Sequence, residues 1–325
     1  MNTVNHYDAI VIGAGPAGLT AGIYLSRAKL KTLIVDEGIA GGQLVLTHEI
    51  ANYPGVQSIS GYQLANIMKK QAKEFGCEIK TNVSLTDLSL DDEVKTVTLT
   101  DGSEYSAFSI ILTPGGRPRT LGVPGEDIFR GKGISYCATC DGDFFTGKEI
   151  VVVGGGNSAL EEAVSLTRYA TKVTVVHQFD HFQAFEHAVE DARKNPRISF
   201  LMNSAITSFS GGEKLEKVAI KNLISGKSVS YNIDGAFIFI GYLPNTEFLE
   251  GKINLNENGE IVVNADMSAG IRGVFAAGDS ITKRYRQVTT AVGDGTVAAL
   301  AAADYVHQLR TKKNKVQAEI ARVLN

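Results

Sequence analysis

The apolar and polar positions near the start of the chain follow the order strand, glycine-rich turn, helix, strand. An apolar run from Ala9 to Ile12 leads into Gly13, Gly15 and Gly18, and a second apolar run ends at Asp36. Near-continuous apolar runs of this length are typical of strands buried on both faces of a parallel sheet. The pattern therefore predicts an α/β fold.

The same order recurs in the middle of the chain. The apolar run from Ile150 to Val153 leads into Gly154, Gly156 and Ala159. Both segments fit G-x-G-x-x-G/A between a strand and a helix, where the glycines permit a tight turn and the close approach of a pyrophosphate. The helix N-terminus then meets the negative charge of that group. Two such segments predict two dinucleotide pockets.

Asp36 completes the first of these patterns. It lies 18 residues beyond Gly18, at the end of the second strand, where a carboxylate can accept hydrogen bonds from a ribose 2′-hydroxyl. A purely structural glycine turn is the alternative.

A third glycine cluster lies near the C-terminus, in GVFAAGDSI. It predicts a short buried strand that ends at Gly278 and Asp279, followed by an Ala-rich helix from about Thr289 to Leu309. Asp279 could contact the pyrophosphate or ribitol of a dinucleotide, or it could cap a helix.

Composition limits the classes of function. The 325 residues suggest about two domains, with 44% apolar residues, 21% charged residues and a net charge of -3. This balance does not favour binding to nucleic acid or to anionic lipid. Three cysteines exclude a disulfide framework, and the sequence has neither a long apolar run nor a secretory signal pattern at its start. We therefore expect a cytoplasmic protein with reduced thiols.

The candidate chemistry lies in GISYCATCDGDFF, just before the second glycine motif. Cys137 and Cys140 have C-x-x-C spacing, so their sulfurs could form a small disulfide ring and exchange with another dithiol. Asp141 follows directly and could exchange the proton that this chemistry requires, or serve as an acid at a helix N-terminus. A zinc site needs about four ligands and finds no further cysteine or histidine nearby, so no metal is expected. A thioredoxin domain is disfavoured by the position of the motif between two nucleotide-binding patterns.

Other reactive side chains carry weaker signals. Cys77 is expected to be a buried, inert thiol. His177 and His181 lack a spaced partner for metal binding.

Taken together, these motifs resemble those of the low-molecular-weight thioredoxin reductases. The shared segments are GAGPAG, GGQ at 41–43, NYPG at 52–55, CATCDG at 137–142, GGGNSA at 154–159, GYLPNT at 241–246, and AAGD with YRQ. They cover nearly the whole chain, and the position of CATCDG between the two glycine motifs is highly specific.

The resemblance implies two Rossmann-like dinucleotide-binding domains of the three-layer FAD/NAD(P) type, the second inserted into the first. The FAD domain would comprise residues 1–116 and 247–325, and residues 117–246 would form a nicotinamide-type domain that carries the dithiol and rotates to expose it. A homodimer is also implied, with Cys140 nearer the flavin. The FAD contacts implied by the family are Gly13, Gly15, Ala17, Gly18, Asp36, Gln43, Asn52, Asp279 and Gln287.

One departure from the family pattern bears on the electron donor. Members that use NADPH carry H-R-R-x-x-x-R after the second glycine motif, whereas this chain reads HQFDHFQ, with Gln178, Phe179 and Gln183 in place of the arginines. An amide or a phenyl ring cannot replace the bidentate bonds of arginine to a 2′-phosphate. The acid that would favour NADH is also missing, because His177 stands there. A nicotinamide cofactor is therefore doubtful.

This combination is similar to that of the ferredoxin-dependent flavin thioredoxin reductases. We expect the enzyme to reduce thioredoxin with electrons that pass from reduced ferredoxin through FAD to Cys137 and Cys140. Ferredoxin would dock on a basic patch of Lys283, Arg284 and Arg286. The alternatives are an NAD(P)H-dependent thioredoxin reductase of atypical specificity, a flavin dithiol oxidase, and a flavoprotein subunit without turnover.

Overall fold

The chain divides into two compact units in the computed structural model, which describes residues 5–47 and 50–323. Unit 1 consists of Met1–Arg117 and Leu243–Asn325, and unit 2 consists of Pro118–Tyr242, so the second unit is inserted in the sequence of the first. Residues 1–4 and 324–325, at the ends of the expected first domain, lie outside the described residues.

The described residues form strands, α-helices and short 3-10 helices. The strands are β1 (Asn5–Ile12), β2 (Thr32–Val35), β3 (Glu78–Lys80), β4 (Leu85–Ser89), β5 (Lys95–Leu99), β6 (Glu104–Leu112), β7 (Gly116–Pro118), β8 (Ile134–Ser135), β9 (Glu149–Val153), β10 (Lys172–Val176), β11 (Ile198–Leu201), β12 (Ser204–Gly211), β13 (Leu215–Asn222), β14 (Ser228–Asn232), β15 (Gly235–Ile238), β16 (Tyr242–Pro244) and β17 (Val274–Ala276). The α-helices are α1 (Pro16–Arg27), α2 (Gly61–Glu74), α3 (Glu126–Phe129), α4 (Ala138–Asp141), α5 (Asn157–Leu166), α6 (Glu186–Lys194) and α7 (Val288–Val323). Short 3-10 helices lie at Gly42–Leu46, Gly142–Phe145, Glu247–Leu249 and Gly278–Ser280.

Unit 1 is built on a sheet of order β3-β2-β1-β6-β5-β4. Strands β1, β2, β3 and β6 are parallel, and β6 is shared: its first half pairs with β5 in antiparallel fashion, and its second half pairs with β17 in parallel. The central strands are buried on both faces, as their apolar runs predict. Helices α1, α2 and α7 supply much of the core on one face, and leucines of β4 and β5 contribute to the core on the other.

Unit 2 has a fully parallel sheet of order β11-β10-β9-β15-β8. Helices α5 and α6 cover one face, and the antiparallel sheet β12-β13-β14 contributes the core on the other. The predicted fold class, a mixed α/β protein with two Rossmann-type units, is confirmed.

Two details of the helices bear on the sequence predictions. Helix α1 begins with Pro16 directly after Gly15, where a proline costs no intrahelical hydrogen bond. Helix α7 extends to Val323, beyond the predicted end at Leu309, because the intervening Lys, Gln, Ala and Glu residues favour helix and no glycine or proline interrupts them. Within the described part of the chain, no helix combines the length and apolarity needed to cross a bilayer.

Candidate functional site

The glycine turn of unit 1 is shaped by three glycines with different roles. Gly13 has φ +106°, and a Cβ there would overlap the carbonyl oxygen of Thr113. A Cβ at Gly18 would overlap the carbonyl oxygen of Gly13, so this glycine lets α1 pack closely on the turn. A Cβ at Gly15 would meet no protein atom within 4 Å. The turn is therefore tight on its protein side and open in front of Gly15.

Asp36 fixes this turn from the end of β2. Its Oδ2 accepts a hydrogen bond from the backbone N–H of Ala14 at 2.5 Å, and its Oδ1 accepts one from Gly38 at 2.7 Å. A carboxylate has about four lone-pair sites, so it can still accept hydrogen bonds from ribose hydroxyls. Asp36 thus fits both a structural role and a ligand role.

Two further segments of unit 1 border the turn. The 3-10 helix that carries Gln43 begins at Gly42, where a Cβ would lie 3.2 Å from the Cα of Gly15. A Cβ at Gly278, which has φ +82°, would lie 2.9 Å from the Cβ of Ala17. Both segments depend on glycine for this close approach.

The remaining predicted contacts of unit 1 are linked to the same region. The side-chain amide of Asn52 donates to Oε1 of Gln287 at 3.4 Å. The neighbouring Arg286 donates from Nε to the carbonyl oxygen of Asp279 at 3.2 Å. The structure therefore places all of the predicted cofactor residues in unit 1.

Asp279 provides a direct test of whether these residues fit FAD. Its Oδ1 is buried and has no hydrogen-bond partner within the protein. Burial raises the pKa of its carboxyl group, against the opposing effect of Lys283 and Arg286. A buried acceptor without a donor is costly, and a hydroxyl group of FAD would supply the missing donor. The residues present fit the cofactor.

The dithiol segment lies in unit 2, where Cys137 and Cys140 are joined by a disulfide with a Cα–Cα distance of 5.3 Å. Cys137 precedes the single helical turn α4, and Asp141 ends it. Burial raises the pKa of Asp141, although a hydrogen bond from Ser135 opposes the rise. Among the described residues, no three His, Cys, Asp or Glu side chains are placed to hold a metal ion.

Sequence reasoning missed the residues that fix this segment from both sides. Ser135 Oγ lies 2.5 Å from Oδ2 of Asp141 and accepts the N–H of Cys137 at 3.1 Å. The hydroxyl group of Tyr136 donates a hydrogen bond to the buried carboxylate of Glu126 at 2.7 Å. Burial and this hydrogen bond both raise the pKa of Tyr136. Ser135 sits two residues before the first cysteine, which is a weak signal, and Glu126 gives no signal in the sequence at all.

The glycine turn of unit 2 differs from that of unit 1 because a segment of the same unit covers it. The imidazole of His177, 5% exposed, occupies the space that any side chain at position 155 would need. The backbone N–H of Gln183 donates to the carbonyl oxygen of Gly155 at 2.8 Å, and that of Phe185 donates to Oδ1 of Asn157 at 2.7 Å. These two hydrogen bonds hold residues 178–185 against the turn.

No cation in this covering segment is placed for a 2′-phosphate. Gln178, Phe179 and Gln183 are exposed. His181 pairs with Asp180 at 2.7 Å. Burial lowers the pKa of His177, which favours the neutral form of its imidazole. The charge of the covering segment does not favour a phosphate.

The predicted basic patch for an acidic partner is wrong for two of its three members. Lys283 forms an ion pair with Asp294, and Arg286 forms one with Glu260. Only 11% of the Lys283 side chain and 22% of the Arg286 side chain are exposed. Their charges are therefore balanced within the protein, and Arg284 alone of the three is exposed.

The prediction for Cys77 is confirmed. The side chain is 4% exposed, and burial raises the pKa of its thiol to about 12. Such a thiol is not a nucleophile at neutral pH.

Comparisons with known proteins show what the chain is similar to. The family model described as pyridine nucleotide-disulphide oxidoreductase matches residues 7–295. A thioredoxin reductase of Peptoclostridium acidaminophilum is 45% identical over 93% of this chain and 98% of that protein. A thioredoxin reductase of Bacillus subtilis (strain 168) is 43% identical over 94% of this chain and 96% of that protein. The crystal structure of thioredoxin reductase from Streptococcus pyogenes MGAS5005 matches with a TM-score of 0.90 and 37% identity, over 94% of this chain and 100% of that one.

Proposed function

The chain belongs to the pyridine nucleotide-disulphide oxidoreductase family, and on this premise we propose that it is a flavoprotein disulfide reductase that reduces oxidised thioredoxin. Membership of the family makes it an oxidoreductase. The observation that carries the proposal is the disulfide between Cys137 and Cys140, with the half-buried carboxyl group of Asp141 at its end.

We assign FAD to unit 1. The open space before Gly15 admits the pyrophosphate of FAD. Asp36 and Asp279 offer carboxylate oxygens to the sugar hydroxyl groups of the cofactor. Gln43, Asn52 and Gln287 border the same region. When bound, FAD supplies the pair of electrons that opens the disulfide of unit 2.

The dithiol then reduces the partner by exchange. The thiolate of Cys137 attacks one sulfur of the thioredoxin disulfide, so a mixed disulfide forms and one thioredoxin thiolate leaves. The thiolate of Cys140 next attacks the sulfur of Cys137, which restores the enzyme disulfide and releases the second thioredoxin thiolate. The two electrons lost by the enzyme dithiol are those gained by thioredoxin. Asp141 exchanges the proton that turns a leaving thiolate into a thiol.

We propose that reduced ferredoxin, rather than NADPH, is the electron donor. Two observations support this proposal: His177 fills the space over Gly155, and the covering segment places no cation where a 2′-phosphate would lie. A one-electron carrier is compatible with a flavin, which accepts electrons singly. Because Lys283 and Arg286 are paired, the docking surface for an acidic carrier lies elsewhere than on the predicted patch.

Anaerobic flavin spectroscopy tests both parts of this proposal. The purified protein with bound FAD is mixed separately with NADPH, NADH and reduced ferredoxin, and bleaching of the flavin is followed in time. Oxidised thioredoxin is then added, and its new thiols are counted. Rapid bleaching by micromolar NADPH would refute the ferredoxin assignment alone. If the reduced enzyme leaves thioredoxin oxidised but forms peroxide from oxygen and a small dithiol, the proposed reductase activity is refuted and the protein is a dithiol oxidase.

A further inference from the structure

The hydroxyl group of Ser135 connects the two ends of the redox segment. Ser135 is the last residue of β8 and is 5% exposed. Its Oγ accepts the backbone N–H of Cys137 at 3.1 Å and lies 2.5 Å from Oδ2 of Asp141. The carbonyl oxygen of Cys137 lies 3.2 Å from the same Oγ. One buried hydroxyl therefore faces a donor and two acceptors.

We propose that Ser135 is a positioning residue whose hydroxyl holds the Asp141 carboxyl group in place in both of its protonation states. The inference rests on the proposed function in one respect only, namely that Asp141 exchanges a proton during the thiol–disulfide reaction. The hydrogen bonds between Ser135 and Asp141 themselves lie within unit 2.

The hydrogen-bonding capacity of a hydroxyl group makes this possible. Ser135 has one hydrogen to donate and two lone pairs to accept with. When Asp141 is ionised, the hydrogen points to its carboxylate, and the N–H of Cys137 fills one lone pair. When Asp141 is protonated, the carboxyl O–H donates to the second lone pair of Oγ, and the serine hydrogen turns to the carbonyl oxygen of Cys137. Every group keeps a partner, and Ser135 itself neither gains nor loses a proton.

The charged surroundings determine the direction of the expected effect. Burial is the main cause that raises the pKa of Asp141, the hydrogen bond from Ser135 lowers it, and the neighbouring Asp143 raises it. Helix α5 packs against α4 and carries the further acids Glu161 and Glu162. Removal of the Ser135 hydroxyl therefore leaves the ionised form of Asp141 without a compensating donor, while burial and Asp143 still raise its pKa.

The test is an infrared titration of the disulfide-bonded protein with FAD bound. The carboxyl C=O band of Asp141 is identified by its absence from Asp141→Asn, and its midpoint is measured against pH. A hydroxyl group bonds an ionised carboxylate about twice as strongly as a protonated carboxyl group, so Ser135→Ala should destabilise the ionised form more and raise the midpoint by about 1 pH unit. Ser135→Thr keeps the hydroxyl and should restore it.

A matched control distinguishes positioning from a general loss of packing. Ser204 also lies in unit 2, is also 5% exposed, and donates to the carbonyl oxygen of Met202 at 2.9 Å. Ser204→Ala should leave the midpoint of Asp141 unchanged. An unchanged midpoint in Ser135→Ala, an equal shift in Ser204→Ala, or a folded Ser135→Thr protein that keeps the shift would each overturn the proposal. The titration needs no thioredoxin, so its failure is distinct from a failure of the proposed function.

Discussion

Replacing Gly15 with alanine should separate the stability of unit 1 from its affinity for FAD. Gly15 precedes α1 with φ -72°, which any residue can adopt, and a Cβ there would meet no protein atom within 4 Å. The added methyl group would instead stand in the space that we assign to the pyrophosphate. The fold should therefore tolerate the substitution, and the cofactor should not.

The expected magnitudes follow from these two environments. For the protein without FAD, alanine should raise the free energy of unfolding by about 0.4 to 1 kcal/mol, because it restricts the unfolded chain. It should lower the same free energy by about 0.5 to 1 kcal/mol, because alanine is a poorer N-cap than glycine. The net change is therefore near zero. For FAD, displacement of the pyrophosphate removes about two charge-assisted hydrogen bonds of about 1.5 to 3 kcal/mol each. The Kd should rise by about 10²- to 10⁴-fold.

Two other glycines provide matched controls. Gly156 is the equivalent residue of unit 2, and a Cβ there would lie 3.8 Å from its nearest neighbour, so Gly156→Ala should leave both stability and FAD affinity unchanged. Gly13→Ala should destabilise the fold by about 3 kcal/mol or more, because the backbone has φ +106° and the methyl group would overlap a carbonyl oxygen.

The assay is a titration of FAD into the apo-protein, followed by quenching of flavin fluorescence, with urea unfolding of each apo-variant alongside. A Gly15→Ala protein that binds FAD as tightly as the wild type would refute the assignment of the pyrophosphate. A large loss of stability in the same apo-variant would show that the space before Gly15 is not open.

Three further results are expected. Cys137→Ser and Cys140→Ser should each abolish thioredoxin reduction yet retain FAD, because exchange needs both sulfurs and FAD binding needs neither. Turnover by either variant would show that electrons do not pass through this disulfide. The double variant Gln178→Arg with Phe179→Arg should bind NADPH at least about tenfold more tightly than the wild type, since a guanidinium bonds a 2′-phosphate bidentately; an unchanged Kd for NADPH in a binding titration would show that charge is not what the site lacks. Lys283→Glu should lower the free energy of unfolding, measured in urea, by about 3 to 5 kcal/mol, because it breaks a largely buried ion pair and places two carboxylates together. Wild-type stability of this variant would show that Lys283 is a free surface charge, as the sequence suggests.

The sequence predicts those features that are encoded locally. The glycine turns are visible because Gly13 and Gly154 must adopt φ +106° and +139°, which other residues avoid, and each is framed by an apolar strand and a helix. The disulfide is visible because its two cysteines lie one helical turn apart. In each case the residues that interact are close in sequence.

The features that the sequence could not predict depend on contacts between distant residues. Lys283 looks like a free surface cation in the sequence, but the fold places Asp294 beside it. Arg286 is paired with Glu260, which lies 26 residues away. Charge clusters in a sequence therefore do not identify a docking surface until the partners of each charge are known.

The two glycine turns of this chain show why the pattern alone does not decide which cofactor is bound. In unit 1 the space before Gly15 is open, and Asp279 has a buried oxygen that lacks a donor, so a ligand would complete the structure. In unit 2 the equivalent turn is already in contact with its own chain, through His177 and the backbone of Gln183. A glycine turn is required by the close packing of strand and helix whether or not a dinucleotide is present. The glycine pattern therefore does not decide the electron donor, and our proposal of a donor other than NADPH rests on the residues that follow β10.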